Sequence, residues 1–294
     1  MPTIAEKRVF TKRDDVVRAL AASSMGVVGV SLSGDIVGEF GFEHRCDARD
    51  VAARGEAVAV ATDEDVLVGD FEPTGHGPAV AVSVAGDGVL AAAPDGTVSL
   101  LAGDADGEPG GDADGAGTGG SWTPVGAVDD PRRLDGRLVA AGDGVHRLTD
   151  GELEYAGLDD ARDVSDRGVP LAVTGDALYT LGNGWMRDLD ADGDDGGDPE
   201  PHAEGGDRAF RCVVADADGE RAVAATDAAV FERADATATE WVRHDESGVV
   251  DAAFAGRHLL GVTEGGEARV YADGGWRGRT LGLPDVRAVA VPGE

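Results

Sequence analysis

Residues 88–101, GVLAAAPDGTVSLL, are one copy of a unit that this chain repeats: an apolar run, a turn, and a second run that alternates apolar with polar. Two such runs joined by Asp and Gly form a β-hairpin, because those residues supply the backbone conformations that a tight turn demands. Further copies are RLVAAGDGVHRL from Arg137, PLAVTGDALYTL from Pro170, RAVAATDAAVFER from Arg221 and HLLGVTEGGEARVY from His258. Nearer the start come VVRALAASSMGVVGV from Val16 and AVAVATDEDVLVGDF from Ala57. One copy alone is a weak signal, but recurrence along the chain is the mark of a repeat architecture.

A short strand with its own signature precedes most copies: ARDVA from Ala48, ARDVS from Ala161, FRCVV from Phe210 and VRAVAV from Val286. An outer strand follows many of them, and Trp122, Trp185, Trp241 and Trp276 all lie near its start. Blades of four antiparallel strands repeated in this way predict an all-β fold, a β-propeller. The tryptophans are expected to anchor each outer strand on the neighbouring blade. With 5% aromatic residues and 46 glycines, the interior must be built from Ala, Val and Leu.

The units run 48–77, 78–128, 129–158, 159–190, 207–248 and 249–283. A partial unit over 16–42 has no inner strand before it, while VRAVAV at the C-terminus has nothing after it to pair with. Joining the two ends completes a seventh four-stranded blade, closes the ring and removes two open sheet edges. A single domain over 1–294 is therefore expected. The unit from Ala48 has no convincing fourth strand, since EPTGHGP from Glu72 reads as a turn, so six blades or an irregular seven stays open. Two acidic, glycine-rich insertions, at about 103–120 and 190–207, hold too little apolar surface to offset the entropy of ordering and are expected to be disordered loops.

Charge narrows the function classes. Lys and Arg number 25 against 57 Asp and Glu, a formal net charge of -32, and Lys7 and Lys12 are the only lysines. Such a body repels nucleic acid and anionic membrane surfaces, so neither is expected as a partner. In molar salt, where the Debye length is about 3 Å, the charge maintains hydration and does not steer ligands from afar. MPTIAEKRVF lacks the apolar core of a signal peptide, and no run approaches the roughly 18 apolar residues of a membrane helix, so a cytoplasmic protein is expected. Cys46 and Cys212 have no metal or redox spacing and read as unpaired small hydrophobes.

Motifs for chemistry are sparse. D-A-D-G occurs at Asp104, Asp112, Asp190 and Asp216, but the EF-hand template fails because Asp195 stands where Gly is required and Pro201 where the bidentate Glu belongs. His44, His76, His146, His202, His244 and His258 form no pair at zinc spacing. Walker loops, nucleophile elbows and dinucleotide fingerprints are absent as sequence patterns. No metal, no cofactor and no catalytic residue is assigned.

One constellation emerges when the inner strands are superposed. RDVA, RDVS, RCVV, RAVA and RRLD bring Arg49, Arg162, Arg211, Arg287 and Arg132 to one equivalent position, with Val80 and Val250 in the other two blades. Inner strands line the central channel, so these five arginines are candidate ligand-binding residues, their planar forks suited to a carboxylate or phosphate. The competing reading pairs each Arg with an Asp of an adjacent inner strand, such as Asp50, Asp163 or Asp251, tying blades together.

In its blade signature, its ARDVA inner strands, HRCDARDV from His44 and its acidic composition, the chain resembles an uncharacterised family of haloarchaeal β-propeller proteins. The resemblance spans essentially the full length and implies the fold and a halophilic cytoplasm; it carries no catalytic residues. The expectation is a non-enzymatic interaction or ligand-binding protein, its partner a protein or a small anion. The alternative is a hydrolase or lyase acting on a small anionic substrate at the channel mouth.

Overall fold

The computed structural model describes residues 16–86, 88–103, 121–191, 209–235, 240–272 and 274–293. The N-terminal segment and nearly all of both acidic insertions lie outside the described residues. Seven four-stranded antiparallel sheets form a closed ring. Blade 1 contains β1 (Val16–Ser23), β2 (Gly26–Ser33) and β3 (Ile36–His44); blade 2 contains β4 (Ala48–Arg54), β5 (Ala57–Thr62), β6 (Val66–Val68) and β7 (Glu72–Pro73). Blade 3 is β8 (Ala81–Ala85), β9 (Gly88–Ala92), β10 (Thr97–Ala102) and β11 (Trp122–Ala127). Blade 4 is β12 (Pro131–Asp135), β13 (Leu138–Ala141), β14 (Gly144–Thr149) and β15 (Glu152–Gly157). Blade 5 is β16 (Asp163–Ser165), β17 (Leu171–Val173), β18 (Ala177–Leu181) and β19 (Trp185–Asp190). Blade 6 is β20 (Phe210–Ala215), β21 (Ala222–Thr226), β22 (Val230–Arg233) and β23 (Val242–His244). Blade 7 is β24 (Val249–Ala255), β25 (His258–Thr263), β26 (Glu267–Ala272) and β27 (Gly275–Thr280).

The last strand, β28 (Val286–Ala290), completes blade 1 by pairing with β1, Leu20 opposite Ala290 and Ala22 opposite Ala288. The chain therefore closes its ring with strands from both ends, and the expected seventh blade is the one that joins them. Blade 2 is the irregular one. Its fourth strand is two residues long, and the rest of EPTGHGP is a turn held by Asp65, whose carboxylate accepts N–H bonds from Val66 (2.8 Å), Gly75 (2.9 Å) and Gly77 (3.1 Å).

Alternation along each strand sends side chains to both faces of a blade, and each face packs on a neighbour. The apolar interior accordingly divides into seven clusters among the described residues, one at each junction between blades. Ala, Val and Leu fill them, with Phe210 and Phe231 as the bulkiest fully buried side chains. The tryptophans act as the sequence suggests: each packs back on the preceding blade. Trp122 Nε1 donates to Thr74 Oγ1 of blade 2 at 3.1 Å, Trp185 Nε1 to Ala156 O of blade 4 at 2.9 Å, and Trp241 Nε1 to Asp188 Oδ2 of blade 5 at 3.2 Å. Trp276 sits in the cluster shared by blades 6 and 7. An indole buries a large flat area, and the N–H groups of Trp122, Trp185 and Trp241 find acceptors at the seam, while that of Trp276 is buried without one among the described residues.

Candidate functional site at the ring centre

The inner strands share a β-bulge near their N-terminal ends, and the five candidate arginines lie at or beside it. In β4, β12, β20, β24 and β28 the skipped residues are Arg49, Arg132, Arg211, Val250 and Arg287. In blade 5, Arg162 donates its N–H to Val173 O, the residue already paired with Asp163; in blade 3, Val80 does the same to Ala92 O. A bulge turns its extra residue out of the ladder and re-aims the side chain. Three of the arginines use that freedom alike. Arg132 donates to Ala161 O (3.1 Å), Arg162 to Phe210 O (3.2 Å) and Arg287 to Ala48 O (3.1 Å), in each case the carbonyl just before the equivalent position of the next blade. Asp160 and Asp130 also pair with Arg132, and Asp47 with Arg287. Arg211 pairs within its own blade, with Asp227 at 2.6 Å. Arg49 has no ion pair among the described residues.

The acidic partners are loop residues, whereas Asp50, Asp163 and Asp251 do something else. They occupy the position just after the bulge. Asp50 accepts N–H bonds from Val51 (3.0 Å) and from Val82 of blade 3 (3.0 Å). Asp163 accepts from Val164 (2.8 Å) and from Val213 of blade 6 (2.8 Å); Asp251 accepts from Ala252 (2.9 Å) and from Val289 of blade 1 (2.8 Å). Each carboxylate thus satisfies an N–H on the inner edge of the following blade, a donor that the sheet leaves unpaired. In blade 4 the same position is Arg133. Its guanidinium crosses the channel to Asp50 Oδ1 (2.6 Å) in blade 2 and to Arg287 O (2.5 Å) in blade 1. Arg167, just after β16, donates across the ring to Ala53 O of blade 2 at 3.2 Å.

Three carboxyls around one guanidinium leave the hub with an excess of acid. Burial pushes Asp50 up to about 6 against the pull of Arg133, pushes Asp163 well above the ordinary carboxylate range and raises Asp251 too. Burial works against the Arg133 charge, but Asp50, Asp251 and Asp163 outweigh it and hold its pKa above the usual value. The Cys212 thiol, at the post-bulge position of blade 6, is pushed up by burial and then by Asp251 and Asp163. It is a free, inert thiol, and Cys46 is free as well.

Around these groups lies a central cavity of ≈ 120 Å³, whose lining includes the three hub aspartates, Arg133, Asp135, Arg167 and Asp216. Its walls are the middle and C-terminal halves of the inner strands. No histidine lines it, and no group of three His, Cys, Asp or Glu among the described residues is arranged to hold a metal ion. Asp216, from the one D-A-D-G copy inside a blade, accepts the Arg221 N–H and shapes a turn. The hub was readable in part: aligned inner strands give Asp, Ala, Arg, Asp, Cys, Asp and Ala after the bulge, a lone cation among three acids.

The family described as HVO_0234-like, beta propeller, matches residues 3–292 of this chain. No curated protein matches it. Among solved structures, the periplasmic gluconolactonase PpgL of Pseudomonas aeruginosa is similar over 94% of this chain and 99% of its own, with 12% identity and a TM-score of 0.63. A functionally unknown protein from Desulfotomaculum acetoxidans is similar over 94% and 99%, with 10% identity and a TM-score of 0.63. The computationally designed Ika8 protein is similar over 94% and 87%, with 12% identity and a TM-score of 0.57. At such identities the likeness is one of fold.

Proposed function

We propose, for a chain that belongs to the HVO_0234-like β-propeller family, the role of a non-enzymatic binding platform: a rigid disc that engages a protein partner through its loops and outer rim. The observation that carries this reading is the occupation of the hub. Acid–base or nucleophilic chemistry needs a group free to take or give a proton within reach of a substrate. Asp50, Asp163 and Asp251 instead spend their oxygens on backbone N–H groups of two blades, and Arg133 spends its guanidinium on Asp50 and Arg287 O. Four of the five ring arginines are likewise engaged by carboxylates or carbonyls. The net charge of -32 supports a high-salt cytoplasm as the working medium.

A hydrolase or lyase at the channel mouth is the reading to set against this one, and one pair of assays separates them. Purified protein in molar salt is mixed with glucono-δ-lactone in a pH-stat, and tagged protein is used for affinity capture from a native high-salt lysate. The platform reading expects lactone opening at the spontaneous rate and a protein partner retained by the Arg49→Ala, Arg162→Ala, Arg287→Ala triple variant, its fold checked by circular dichroism. A partner lost only with the arginines would move binding to the channel mouth. Lactone opening accelerated above the spontaneous rate would replace the platform with an enzyme.

A further inference from the structure

We infer that the outer rim between blades 7 and 1 is a docking groove for an acidic, extended polypeptide segment; this rests on the platform reading and gives it a place and a partner chemistry. β3 is the longest strand among the described residues, at nine residues, and it is the outermost strand of blade 1. Beyond Val37 and Gly38, whose carbonyls accept from Arg279, its outer edge offers backbone donors and acceptors to another extended chain. Most aromatic side chains of this aromatic-poor protein are packed between blades, yet Phe40 and Phe42 on β3 are 37% and 38% exposed. They lie opposite Val30 and Val28, whose side chains belong to the apolar cluster between blades 1 and 7, so both rings face blade 7.

The facing wall is β27, where Arg277 and Arg279 lie opposite Val270 and Ala268 of that same cluster. Arg279 stacks over Phe40 at 5.0 Å and donates to the carbonyls of Val37 and Gly38. Arg45 stacks over Phe42 at 4.4 Å, and Arg277 pairs with Asp35. Three arginines and two half-exposed phenylalanines therefore meet on one seam of a molecule whose net charge is -32, with Asp35 the acid that pairs there with Arg277. Aromatic and arginine side chains together are the composition of interface hot spots.

Charge complementarity selects the occupant. Carboxylates match these guanidiniums, and an alternating sequence would set them there while its apolar side chains meet the two rings. A membrane or a nucleic acid would bring a large anionic surface against the whole acidic disc. A short segment touches the seam alone, and in molar salt only charges within about 3 Å of contact interact.

The test uses the full chain in molar salt and two fluorescein-labelled octapeptides, alternating Glu-Val and alternating Lys-Val, read by fluorescence anisotropy. Wild type should bind the Glu-Val peptide in preference to the Lys-Val peptide. Phe40→Ala with Phe42→Ala should weaken that binding by about tenfold or more, and Arg279→Glu should invert the preference. Tyr155→Ala, an exposed aromatic on another outer strand, should leave it unchanged. Thermal melts verify that each variant is folded. No binding of the Glu-Val peptide, equal binding of both peptides, or indifference to the Phe40 and Phe42 changes would overturn the groove. Sedimentation showing a wild-type dimer that the same changes dissolve would overturn it in favour of a second copy. A groove that fails while lysate capture succeeds leaves the platform intact; accelerated lactone opening removes the platform itself.

Discussion

Arg133 is the residue on which the centre of the ring turns. It stands where other blades carry Asp, Cys or Ala, and it is the cation at the post-bulge level of the channel. Asp50 is only 4% exposed, so removing its partner strands a buried charge. Arg133→Met should therefore cost about 3–5 kcal/mol, read from denaturant unfolding. The loss should be larger at pH 8 than at pH 5, because protonation relieves the unpaired carboxyls at the lower pH. The wild type has a pH dependence of the same origin. A carboxyl whose pKa rises on folding, as that of Asp50 does to about 6, contributes its stability fully below about 4 and loses it as pH climbs through 6. That shift alone is worth about 3 kcal/mol. The expected hub contribution falls from pH 4 to pH 7, with Asp163 and Asp251 acting in the same direction; melts that stay flat over this window and in the Arg133→Met protein would refute the account.

At the scale of the element, turns decide which hairpins form and bulges decide where inner-strand side chains go. Gly96, in the turn between β9 and β10, has a φ of +91°, and a Cβ there would sit 2.1 Å from Val128 O. Val128 is held close to this turn because its N–H donates to Gly96 O at 3.0 Å. Gly96→Ala should cost roughly 2–4 kcal/mol; a melting temperature within a degree of wild type would contradict the geometry. Hairpins such as 88–101 were legible because turn chemistry and alternation are local. So was the common position of Arg49, Arg132, Arg162, Arg211 and Arg287, since a bulge recurs at the same offset in each inner strand. Their partners were not legible. Asp50 meets Val82, Arg133 reaches Arg287 O, and Arg132 reaches Asp160, because the ring brings together strands far apart in sequence. EPTGHGP of blade 2 was read as a turn, but nothing local announces that the Asp65 carboxylate gathers N–H groups from Val66, Gly75 and Gly77.

The whole molecule has no single core. Seven thin apolar seams hold seven sheets, and the surface around them carries a net charge of -32. Repulsion among the carboxylates opposes these seams, and it acts at longer range when screening is weak. Diluting salt from molar to tens of millimolar, which lengthens the Debye length severalfold, should lower the unfolding midpoint in a circular-dichroism titration. A midpoint independent of salt would remove the physical basis for a halophilic setting.

The pairing of β28 with β1 also dictates the order in which a nascent chain can finish folding. β1 to β3 leave the ribosome before the other blades and lack an inner strand until β28 has followed them. Blade 1 is thus the first begun and the last completed, and its open inner edge must survive the synthesis of six other blades. A premature stop before Val286 would strand that edge permanently. In such a ring, completeness is checked by the one strand that closes it.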